Sequence, residues 1–157
     1  MRSALLALAA SLALAGGAFA QERPDFSGTW RLDAARSDVA AHTDATRPET
    51  VTITQTASEI RVHTVTPRGT ATTTYLFKAD EPVSPDNSLA RWRGDALITD
   101  AVMDVRGQSV TVQQTRRLSS DGNEMTVESV VNVQHGYTQT GAKTYSSSRD
   151  VFVRVKP

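Results

Sequence analysis

From Ser27 to Val155 the chain repeats one pattern: short runs in which apolar and polar residues alternate, each closed by a turn signal. Alternation with period two marks a strand with one buried face. The runs are Ser27 to Leu32, Thr50 to Thr56, Glu59 to Thr66, Thr70 to Lys78, Ser88 to Arg93, Ala96 to Met103, Gln108 to Leu118, Glu124 to Gln134 and Tyr145 to Val155. They predict about nine strands. Thr and Val dominate them, and their branched Cβ favours extended backbone.

The breaks have a physical logic. Pro67-Arg68-Gly69, Arg93-Gly94-Asp95 and Arg106-Gly107 supply a glycine for positive φ. Ser120-Asp121-Gly122-Asn123 is the strongest hairpin signal, since Asp-Gly tolerates the twist of a primed turn. Glu81 to Asn87 carries two prolines and reads as a longer loop. Connections this short imply antiparallel neighbours. Asp33 to Ala41 is the one helix candidate, with Asp33 as its cap and Ala34, Ala35 and Ala40 as helix formers.

Side-chain parity sorts the faces. Met125, Val127, Val131 and Val133 share one face, and Glu124, Thr126, Glu128, Asn132 and Gln134 the other. Val110 and Val112 share their face with Gln114, Arg116 and Leu118, which directs Arg116 inward. Trp92 has the parity of Ala90 and is expected to face inward too. Val151, Val153 and Val155 form an apolar face opposite Phe152 and Arg154. A meander with one apolar face must close or pack on itself. The expected fold is all-β: a single antiparallel up-and-down β-barrel of about 8–10 strands with one short helix after the first strand. A β-sandwich is the alternative.

Residues 1–20 have a different character. Arg2 precedes an apolar run from Ala4 to Ala15, broken only by Ser11, and Ala18-Phe19-Ala20 is a small-x-small cleavage site. This is the form of a secretory signal peptide, cleaved after Ala20, and it is too short for a stable membrane anchor. The expected product is one domain, residues 21–157, in a periplasm or outside the cell. That location argues against ATP-driven or nicotinamide-driven chemistry. The chain has no cysteine, which excludes disulfides, thiol catalysis and cysteine-based zinc sites. Seventeen basic residues balance seventeen acidic ones, and loss of Arg2 leaves a net charge of −1. No basic excess draws the chain to nucleic acid. The arginines are expected mostly in surface ion pairs across strands.

The segment Pro24-Asp25-Phe26-Ser27-Gly28-Thr29-Trp30-Arg31-Leu32 resembles the opening strand of the calycins, the lipocalins and fatty-acid-binding proteins among them. Gly28 and Trp30 match the Gly-x-Trp signature of that strand. The resemblance implies that Trp30 closes the base of the barrel beneath a basic side chain from a late strand, Arg154 or Arg149. The stretches from Trp92 to Leu97 and from Leu118 to Val127 are similar to the hairpin meander of small lipid binders. The whole mature chain resembles secreted bacterial lipocalin-like proteins. It departs from the fatty-acid-binding pattern in the last strand, where Phe152 and Arg154 stand in place of Arg-x-Tyr.

Motifs for catalysis are sparse. His42, His63 and His135 have no metal-ligand spacing. His63 falls on the polar face of its strand, whereas His135 continues the apolar parity of the strand before it. Ser119-Ser120 and Ser146-Ser147-Ser148 sit in no nucleophile elbow. Asp100 with Asp104, and Asp80 with Glu81, have no fixed separation across a cleft. No cofactor is implied.

The preferred reading is a barrel that binds a small hydrophobic or amphipathic molecule, with Trp92, Tyr75 and Arg116 in contact with it; one cation among apolar walls suits an amphipathic anion. A filled barrel serving as a structural or protein-interaction module of the cell envelope is the alternative. A barrel enzyme using His135 with a nearby carboxylate is the third.

Overall fold

The computed structural model describes residues 23–42, 46–78, 82–83, 87–105, 107–134 and 144–156. The leader, His135, Asp80, Glu81 and Arg106 lie outside the described residues. Nine strands close into one barrel in sequence order: β1 (Gly28–Leu32), β2 (Thr50–Gln55), β3 (Glu59–Thr66), β4 (Gly69–Phe77), β5 (Ser88–Arg93), β6 (Ala96–Val105), β7 (Gln108–Leu118), β8 (Glu124–Gln134) and β9 (Thr144–Arg154). Closure rules out the sandwich.

Two expectations need correction. The first is the strictly antiparallel meander, because β4 and β5 pair in parallel through Leu76↔Leu89 and Phe77↔Ala90. Parity explains this. Strand direction must return to itself around a closed ring, so nine strands cannot all alternate and one neighbouring pair has to run parallel. The parallel pair falls at the proline-bearing connection 78–87. A parallel pair usually needs a long crossover. Here β5 starts beside the end of β4, so the chain only has to leave the wall and re-enter it.

The second is the helix after β1, which is two separate 3-10 turns, Ala34–Arg36 and Val39–Ala41. β9 supplies the reason. Its edge pairs with β1 only from Phe152 to Arg154. Above that, segment 33–42 bonds the edge at Val151 and Arg149: Asp33 N–H donates to Val151 O (2.8 Å) and Asp38 N–H to Arg149 O (2.8 Å). The Ser37 hydroxyl and the Asp38 carboxylate accept from the backbone N–H of Val151 (2.9 Å) and Arg149 (2.8 Å). Short polar side chains that bond backbone this way break up a helix, and they seal the seam of the barrel. The Asp33 side chain caps the first turn by accepting from Ala35 N–H (3.1 Å).

Burial along the inward rows grades from one end to the other. At the end holding the N-terminal segment and the β7–β8 turn, Phe26, Trp30, Ile53, Ile60, Leu97, Met125 and Phe152 pack into one core. Toward the other end several inward positions are small or polar and solvent-reached, Thr64 and Ala71, Val112 and Gln114, Val131 and Ser146 among them, although Val110 is buried there. The barrel is apolar and filled at the first end and only partly buried at the other. The inward face of β9 is that of Phe152, not of Val151, Val153 and Val155, because Phe152 lies opposite the core residue Met125. Val151 is buried nonetheless, beneath the 33–42 segment that bonds its backbone. The outer wall carries a buried patch of its own, Leu89, Ala96 and Ile98, beside Asp100, which pairs with Arg91 and accepts from Gln113 Nε2 (2.7 Å).

Candidate functional site

At the closed end the Arg154 guanidinium lies 4.1 Å from the centre of the Trp30 ring. It donates to the carbonyls of Gly122 (Nε, 2.9 Å), Ser27 (Nη1, 2.6 Å) and Asp25 (Nη2, 3.5 Å). Trp30 Nε1 donates to Phe26 O at 2.9 Å. One guanidinium thus ties the chain's entry segment, the β7–β8 turn and the floor tryptophan together. Gly28 is required beside it. Its φ is +129°, and a Cβ there would come within 2.6 Å of Arg154 Nη1. Arg149 is exposed and takes no part.

Arg116 on β7 points into the lumen just above the apolar core, 3% exposed. Its Nη1 donates to Thr99 Oγ1 (2.7 Å) and its Nη2 to Gln114 Oε1, while Gln114 Nε2 donates to Ser129 Oγ (3.2 Å). Burial pushes the guanidinium pKa down, and the neighbouring Tyr75 phenol opposes that. None of the ion pairs among the described residues includes Arg116, and its Nε has no hydrogen-bond partner. A buried cation whose partners are all neutral is an expensive thing to keep.

Tyr75 and Arg116 are therefore brought together, from strands three apart. Trp92 is not with them. It stacks on Phe77 (centroids 5.9 Å apart, 11° between planes) and tilts against Phe26 at 6.0 Å, with Arg23 over its ring at 5.5 Å. It lines an open cleft of about 490 Å³ at the closed end, together with Ala57, Phe77, Lys78 and Arg91.

The lumen holds one acid–base pair that parity alone did not single out. Asp150 on β9, 3% exposed, accepts through Oδ2 from His42 Nε2 at 2.8 Å; its Oδ1 is buried without a partner. The legible signal is an aspartate two residues before Phe152 on the same face. His42 had none, because it comes from the connection that folds over the seam. The other candidates are engaged elsewhere. His63 Nδ1 bonds Thr72 Oγ1 (2.8 Å) on the outer wall, Ser119 Oγ donates to Asp121 Oδ1 (2.6 Å) in a turn, and Asp104 accepts from Gly107 N–H (3.0 Å). Arg36–Glu124 (2.8 Å) and Arg117–Glu128 (3.0 Å) are surface pairs. No group of three acidic or histidine side chains is placed to hold a metal among the described residues.

No family model matches the sequence, and no curated protein is significantly similar to it.

Proposed function

We propose that the chain is an exported calycin-like barrel that holds a small amphipathic anion in its open half, with the anionic head on Arg116 and Tyr75 and the apolar tail toward the mouth. The observation that carries this is Arg116: a buried guanidinium with neutral partners and a free Nε, facing the lumen below the half-buried inward positions Val112 and Val131. An anion entering from above completes its hydrogen bonds and removes its unpaired charge. Val112, Val131 and Ala101 give the walls apolar surface above that floor. Trp30, Gly28 and Arg154 are structural in this reading and hold the base shut. The leader delivers the protein to the periplasm or the exterior, where no nucleotide supply is needed for reversible binding.

The test is native mass spectrometry of protein purified from its own host, combined with titration of the emptied protein with decanoate. A retained acidic amphiphile and saturable decanoate binding that Arg116→Gln abolishes are expected. A clean unliganded mass together with no decanoate binding refutes the reading. An N-terminus other than Gln21 in the exported protein refutes the cleavage site.

A further inference from the structure

We propose that the ligand's head is zwitterionic, an anion for Arg116 joined to a cationic hydrogen-bond donor for Asp150, as in an α-amino acid with an apolar tail; this rests on reading the open chamber as an amphiphile site. Among the described residues only two buried side-chain polar atoms lack a partner, Arg116 Nε and Asp150 Oδ1. Both residues face the lumen, both are 3% exposed, and their charges are opposite. They occupy one row of the sheet: Arg116 pairs with Val127, and Val127 with Asp150. Two strand spacings, about 9–10 Å at the backbone, separate them.

The two groups do not neutralise each other. Arg116 spends its Nη atoms on Thr99 and Gln114, and Asp150 spends Oδ2 on His42. What remains is one free donor and one free acceptor with the apolar Val127 between them. A simple carboxylate answers the first and leaves the second orphaned. A head carrying a carboxylate and an ammonium on one carbon answers both, with charge matched to charge on each side.

Calorimetric titration of the purified protein with decanoate and with α-aminodecanoate decides the matter. The amino compound is expected to bind about 10- to 100-fold more tightly, the ratio that pairing one orphaned buried group gives. Asp150→Asn is expected to erase that difference between the two probes. Equal affinity of the wild-type protein for the two probes overturns the zwitterionic head but leaves the amphiphile reading standing; this comparison needs no variant to fold. Binding of neither probe overturns both.

Discussion

Replacing Arg116 with methionine is expected to make the unliganded protein more stable while destroying its binding. Methionine keeps most of the volume and flexibility of the arginine stem and removes the charge. Exchange of buried ionic groups for apolar ones of similar size is often neutral or stabilising by about 1–4 kcal/mol. Arg116 belongs at the favourable end of that range, since no carboxylate offsets its desolvation and its Nε is orphaned. Against this stand the bonds to Thr99 and Gln114, about 1.5–3 kcal/mol each for a charged donor. Gln114 is only half-buried and already touches Ser129, so water and Ser129 recover much of its share. Thr99 keeps a hydroxyl that can turn to another acceptor. A net gain of about 1–2 kcal/mol results. In urea, with a slope of about 1–3 kcal/mol per molar, the midpoint should rise by about 0.3–2 M. Decanoate binding should vanish in the same variant. A midpoint lowered by about 0.5 M or more would refute the reasoning, because it would make the guanidinium a net contributor to the fold rather than a group kept for a ligand.

The closed end should respond in the opposite sense. Arg154→Ala removes a cation–π contact, about 0.5–2 kcal/mol, and strands the carbonyls of Ser27 and Gly122; allowing for their partial exposure, a loss of about 2–4 kcal/mol is expected in urea denaturation, and an unchanged midpoint contradicts the tie. Gly28→Ala should cost about 1–3 kcal/mol, since a side chain is forced into positive φ against Arg154; a neutral effect would deny that close approach. In the β7–β8 turn, bonds from Ser119 and Asn123 hold the Asp121 carboxyl down at about 2, below its ordinary 3.8. The folded value is the lower one, so the carboxylate stabilises the turn above about pH 4 and loses that contribution as pH falls toward 2. Asp121→Asn should therefore be less stable than wild type near neutrality, with the gap closing in acid; a gap of constant size would sink the assignment.

The strands were legible because alternation and turn chemistry agree along most of the chain. Asp121-Gly122 and Gly94 mark their hairpins, and both glycines have positive φ. The parallel β4–β5 pair is not local information. It follows from counting nine strands and requiring closure, a constraint on the whole ring that no single connection carries. The 33–42 segment misled for a related reason: its alanines favour helix, but the open edge of β9 competes for Asp33, Ser37 and Asp38 and wins. On β9 the face of Val151, Val153 and Val155 looks the more apolar, yet Phe152 and Arg154 face in, because one aromatic opposite Met125 and one guanidinium over Trp30 outweigh three valines. Parity did put Arg116 on the inward face. It had no way to separate Trp92 from Tyr75, since all three share that face and only the partners each meets, Phe77 and Phe26 for Trp92, tell them apart.

The distribution of polarity inside the barrel bears on the competing idea of a filled interaction module. A barrel packed solid for stability has no use for an unpaired guanidinium, and it had an answer at hand: Asp150 lies in the same row, one strand beyond Val127. Turning the two toward each other would satisfy both. Instead Asp150 is held by His42, which reaches in from the sealing segment, and Arg116 is held by Thr99 and Gln114. Each charge is fixed by a scaffold of its own and left one bond short. Preorganised, incompletely satisfied groups of this kind cost stability in the empty protein and regain it when a partner arrives. The lower half shows that this sequence packs apolar residues without difficulty where it needs only a core, from Phe26 to Phe152. The buried polar layer above that core, Thr99, Arg116 and Asp150, is therefore a departure set between the apolar half and the less buried half, which is where a ligand would enter.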